Sequence, residues 1–172
     1  VGNSAVAKGC TVLGEVKNAV LSTGTTVAEG ASGGNLAKRI TDVPGSDQVF
    51  EMGVVTNTAR AREVLAGVDA KVMETYGVYS QETARAMAQG IRRLSGADIS
   101  VAITARTGLE SDSAGQELGL AYIAVDSDAY QHVTKVDLAG NRSAQSEFVR
   151  YVSSSSALWN GLKAAWKSGS AN

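Results

Sequence analysis

A chain of 172 residues, 44% hydrophobic and 19% charged, is long enough for one domain with a buried core. Lys plus Arg number 16 and Asp plus Glu 17, a net charge of -1, so no basic surplus supports a nucleic-acid or anionic-membrane partner. Cys10 and His132 each stand alone, which excludes an intrachain disulfide, a zinc site built on several cysteines or histidines, and any Ser-His-Asp triad that does not use His132.

Residues 1–10 read as a loose entry segment, and Leu13, Val16 and Val20 mark a helix over 11–23 that Gly24 can end. Residues 25–29 are a β-branched strand. Gly30-Ala31-Ser32-Gly33-Gly34 follows as a small-residue loop, and a helix over 33–41 carries Leu36 and Ile40 on one face. Strand, Gly-rich turn and helix in that order aim backbone N–H groups at one point, a geometry suited to an anion or a reacting carbonyl. Asp42-Val43-Pro44-Gly45-Ser46 is a turn signal. Residues 48–57 read as a buried strand, 59–66 as a short helix closed by Gly67, and 70–76 as another closed by Gly77. Ser80 is an N-cap with Glu82 beside the positive helix end; Ala84, Met87, Ala88, Ile91 and Leu94 then form an apolar stripe that stops at Gly96.

Ile99–Thr104 reads as a central strand and 106–116 as a polar, Gly-containing loop. Leu118–Val125 and Gln131–Leu138 read as two strands of an antiparallel hairpin, with His132 on its surface. A helix over 142–167 closes the chain with Phe148, Val152, Trp159, Leu162 and Trp166 nearly in register; the tryptophans suit a core or subunit contact. Helices interleaved with strands imply an α/β fold: one layered α/β sandwich over 1–172 with a mixed, mostly parallel sheet covered by helices. No apolar run spans a bilayer and no signal peptide is visible, so the expected location is cytoplasmic; Val1 in place of Met leaves room for a removed leader.

Several of these segments together resemble the C-terminal domain family of CinA, the bacterial nicotinamide-nucleotide amidases. The likeness runs from about residue 11 to the last helix and is carried by Ala28-Glu29 with Gly33-Gly34, Thr41–Ser46 with Phe50, Gly53-Val54-Val55, Leu65–Val68, and Gly77–Ser80 with Ala84, Met87, Ala88 and Gly90. It continues through Gly96-Ala97-Asp98, Ala102-Ile103-Thr104 and Gly119–Ala124. The resemblance implies an α/β sandwich, a homo-oligomer, and hydrolysis of the carboxamide of nicotinamide mononucleotide without metal or cofactor. It also implies a serine nucleophile, a tyrosine and a lysine acting as base, with loop N–H groups holding the oxyanion.

The chain departs from that machinery. The nucleophile position is Gly30, the tyrosine position Asn57 and the lysine position Arg62. Glycine has nothing to acylate, and arginine keeps its proton at any working pH. Ser32 is a candidate substitute, but no Lys or His is spaced to activate it, and a hydroxyl capping the helix start is the preferred reading. Glu29 reads equally as a ligand-orienting carboxylate or as one satisfied by loop amides. Arg62 reads as a phosphate clamp or, slightly preferred with Arg60 two positions away, as a solvated helix residue; Arg106 and Arg142 share that ambiguity. In the later loop Thr104 and Gly108 match the family's Gly-rich run, Arg106 adds a cation and Glu110 an anion. The ligand-binding candidates are thus Glu29, Ser32, Gly33, Gly34, Thr104, Arg106 and Gly108, around a small mononucleotide. The expected function is a CinA-like domain without hydrolysis. The alternatives are a hydrolase using Ser32 or a water, and a nucleotide-binding regulator.

Overall fold

The computed structural model describes residues 24–42, 44–106 and 119–137. The expected helices over 11–23 and 142–167, most of the 106–116 loop, and Cys10, Gly108, Arg142, Trp159 and Trp166 lie outside the described residues.

The chain alternates strand and helix as β1 (Thr25–Glu29), α1 (Asn35–Thr41), a 3-10 turn (Ser46–Gln48), β2 (Phe50–Val55), α2 (Ala59–Ala66), α3 (Ala70–Tyr76), α4 (Gln81–Ser95), β3 (Ile99–Ala105), β4 (Leu120–Ser127) and β5 (Gln131–Asp137). The strands form one sheet in the order β2-β1-β3-β4-β5. β1 pairs in parallel with β2 and β3, while β3–β4 and β4–β5 are antiparallel. β4 therefore runs against the other four strands, and the expected mixed α/β sheet is found. The expected hairpin is present, with β4 extending to Ser127 and His132 exposed on β5.

Alternation along each strand builds two cores. On one face Val27, Ile99, Val101, Ile103, Ile123 and Val125 gather with Leu36 of α1. On the other, Ala28, Ala102 and Ala124 meet Met73 of α3 and Ala84, Met87, Ala88 and Ile91 of α4. Small side chains on this second strand face let α4 lie close. Ser100 Oγ donates to the Ala88 carbonyl at 2.7 Å and Thr104 Oγ1 to the Val78 carbonyl at 3.0 Å, so both buried hydroxyls are satisfied. Between α2 and α4 the approach is closer still: a Cβ at Gly90 would sit 1.7 Å from the Ala66 carbonyl oxygen.

The helix ends follow the residues that mark them. Ser80 accepts from the Thr83 N–H at 3.1 Å, Thr58 caps α2 by accepting from Ala61, and Gly67 and Gly96 close α2 and α4 in the left-handed conformation. At the last turn of α4, Arg92 reaches the Asp98 carbonyl and pairs with Asp126 at 3.3 Å and with Asp128. Burial works against its charge, but the two carboxylates outweigh that and raise its pKa.

Two expectations need correction. Residues 48–57 are not a buried strand: β2 is an edge strand whose residues alternate between half-buried and exposed, with Val55 outward. Leu94 does not extend the α4 stripe: it is 63% exposed, while Ile91 one turn earlier is buried.

Candidate functional site

The parallel strands β1, β2 and β3 end together: Glu29 registers with Val55 on one side and Ile103 on the other. The carboxyl ends of parallel strands beside a change in strand order are where open α/β sheets place ligands. The turn after β1 is fastened there, since the Gly30 N–H donates to the Ile103 carbonyl at 2.7 Å and the Glu29 carbonyl accepts from Thr56 N–H at 2.9 Å.

Glu29 is 1% exposed and organises the loop. Its Oε2 accepts from Ser32 Oγ at 2.5 Å, Gly34 N–H at 3.1 Å and Leu36 N–H at 3.0 Å, and its Oε1 from Ala37 N–H at 2.8 Å. The carboxylate thus takes the amides that open α1, beside Gly33 and Gly34, both at positive φ that glycine adopts without strain. Of the two readings of Glu29, the contacts formed are those with loop amides, and Ser32 joins them as a donor.

Arg62 is not solvated. It is 1% exposed, reaching from α2 to the turn, where its Nη2 donates to the Gly30 carbonyl at 3.4 Å. Its Cζ lies 5.5 Å from the centre of the Tyr79 ring, a cation–π distance. Burial holds its pKa below the usual arginine range, only partly offset by Tyr79. The guanidinium also sets what position 30 can be. A Cβ at Gly30 would lie 2.8 Å from Arg62 Nη2 and 2.8 Å from the Ile103 carbonyl oxygen. The structure therefore brings Gly30 and Arg62, two of the three residues expected at the nucleophile, tyrosine and lysine positions, into contact. Asn57 is exposed in the β2–α2 connection. Thr104 is buried on the α4 face and Arg106 is buried just past β3, its N–H donating to the Leu120 carbonyl at 3.1 Å.

Sequence reasoning overlooked Tyr79 and the Ile103 carbonyl. Tyr79 stood within a matched segment, Gly77–Ser80, yet nothing in its spacing linked it to Arg62. A backbone carbonyl leaves no trace in side-chain pattern.

Among the described residues no helix is long and apolar enough to cross a membrane. The profile of the CinA C-terminal domain matches residues 11–158. A CinA-like protein of Geotalea daltonii is 41% identical over 138 residues, 79% of this chain and 32% of that protein. One of Geobacter sulfurreducens is 40% identical over 118 residues, 69% of this chain and 29% of that protein. The chain spans under a third of the length of these curated relatives. Among solved structures, competence damage-inducible protein A from Klebsiella pneumoniae superposes with a TM-score of 0.74 at 26% identity, covering 83% of this chain and 88% of that one. The competence/damage inducible protein CihA from Agrobacterium tumefaciens gives 0.67 at 29% identity, covering 77% and 82%. The chain belongs to the CinA C-terminal domain family.

Proposed function

We propose that this is a non-hydrolysing CinA-like domain, one that keeps the fold and lacks the amidase step. The observation that carries the reading is the contact at position 30: the nucleophile position is glycine, and a buried guanidinium lies against it. Acyl transfer at that point needs a hydroxyl and a neutral base able to take its proton. Arg62 supplies a fixed cation in place of a base, and any side chain at position 30 collides with it and with the Ile103 carbonyl. Asn57, at the tyrosine position, has no phenolic proton to relay.

Ser32 is poorly placed as a substitute. Its hydroxyl is engaged as a donor to Glu29 Oε2, an oxygen that also holds the Gly34 and Leu36 N–H groups, so both side chains are tied into the start of α1. The test is ammonia release from nicotinamide mononucleotide. No release above a protein-free control supports the reading; turnover of about 1 per second, ordinary for an enzyme, overturns it.

A further inference from the structure

Arg62 raises a question that the loss of hydrolysis does not answer. Its guanidinium is buried, yet among the described residues no carboxylate lies within ion-pair distance of it. Arg92, a less buried arginine, is met by Asp126 and Asp128. Arg62 instead has the Tyr79 ring at a cation–π distance and one long hydrogen bond, 3.4 Å to the Gly30 carbonyl, and its Nε is without a hydrogen-bond partner. An arginine is charged at any working pH, and a buried charge with neither counter-ion nor full hydrogen bonding is strongly unfavourable. A buried donor left unmade in a native fold calls for an absent acceptor.

The orientation of the guanidinium indicates what that acceptor is. Nη2 and Nε share one edge, and both lie nearest the turn: a Cβ at Gly30 would stand 2.8 Å from the first and 3.4 Å from the second. That edge is the one whose two parallel N–H bonds match the two oxygens of a carboxylate. It faces the carboxyl ends of β1 and β3. We propose that Arg62 is the receptor of a small carboxylate, free or terminal on a larger ligand, held bidentately by Nε and Nη2 over Gly30. Seating it gives up the weak bond to the Gly30 carbonyl and draws the side chain back by about the width of one oxygen atom. Glycine at position 30 has no side chain to obstruct that movement. The inference rests on the non-hydrolysing reading in taking Arg62 as a fixed cation and not a base.

The experiment is thermal unfolding of the 172-residue chain in sodium acetate, against acetamide and against sodium chloride at equal ionic strength. Acetate is expected to raise Tm saturably, by roughly 5–10 °C at a hundredfold excess over Kd, while the uncharged acetamide does not. Benzoate acting at lower concentration than acetate assigns the carboxylate to a larger, ring-bearing ligand; equal potency assigns a free small acid. Arg62→Met removes the charge and keeps much of the volume, and is expected to abolish the acetate effect. No shift beyond that of chloride, or an equal shift in Arg62→Met, overturns the proposal. Should that variant fail to fold, the arginine Nε–H resonances of the unaltered chain serve instead: one moves on acetate titration if the proposal holds, and none moves if it does not. Amide turnover would refute the non-hydrolysing reading whatever acetate does, so the two failures are distinguishable.

Discussion

Replacing Gly30 by alanine adds one methyl group at a point bounded by two atoms of different mobility. Non-bonded carbon contacts are favourable near 3.5–4.0 Å, and the added carbon would meet Arg62 Nη2 and the Ile103 carbonyl oxygen, each at 2.8 Å. The guanidinium terminates a flexible stem. The carbonyl belongs to β3, within the sheet, and accepts the Gly30 N–H. Overpacking of this kind costs about 1–3 kcal/mol. In an Arg62→Lys background the side-chain obstacle is withdrawn and the carbonyl remains, so the loss should fall to about half, a coupling on the order of 0.5–1.5 kcal/mol between contacting residues. Urea unfolding of the parent, both single variants and the double variant measures the cycle, provided m is unchanged. Gly30→Ala within about 0.5 kcal/mol of the parent, the range of an inconsequential surface change, would refute the packing at this turn. An identical loss in both backgrounds would refute the role given to Arg62.

Gly90→Ala is expected to prevent folding or cost at least about 3 kcal/mol, since its Cβ would lie 1.7 Å from the Ala66 carbonyl oxygen and no rotamer relieves a backbone clash; circular dichroism and thermal unfolding report it. Glu29→Gln puts an NH2 group against at least one amide donor of the α1 start, and should cost about 1–3 kcal/mol with faster amide exchange at Gly34, Leu36 and Ala37. Arg92→Gln leaves buried Asp126 without its cation and should cost about 1–3 kcal/mol by urea unfolding, less than a fully buried pair because Asp128 is exposed.

Much of the fold was legible because the residues involved act locally. Ser80, Gly67, Gly77 and Gly96 end or begin helices through their own backbone and hydroxyl chemistry, and each stands where the sequence puts it. Ile99–Thr104 is apolar enough to be read as central, and β3, which runs one residue further to Ala105, is the middle strand of the sheet. Position within a sheet is another matter. Phe50, Met52, Val54 and Val55 suggest a buried strand, yet whether a strand has one neighbour or two depends on the order of the whole sheet, which no local window contains. Leu94 keeps the helical spacing of Ile91 and lies in the last turn of α4, yet it is exposed, an outcome its spacing does not reveal.

At the site, Gly30, Asn57 and Arg62 read from the sequence as departures from the pattern that the family resemblance implies. The reason Arg62 is not a surface residue was not visible. Arg60 and Arg62 look alike in sequence; one is exposed and the other buried under the turn after β1. Two residues apart on α2, they point to opposite faces of the helix, and which face meets the turn after β1 is a tertiary relation. Glu29 was read with two equal outcomes because its donors are amides five to eight residues onward, and the left-handed Gly33 and Gly34 lie in the turn that brings those amides back to it.

The measurement that bears most directly on a silent site is ammonia produced from nicotinamide mononucleotide by the unaltered chain, run beside the triple variant Gly30→Ser, Asn57→Tyr and Arg62→Lys. Release by the unaltered chain equal to a protein-free blank is the expected result, and activity in the triple variant would show that the surrounding pocket is retained. Sustained release by the unaltered chain at about 1 per second would contradict the reading of Gly30 and Arg62 given above.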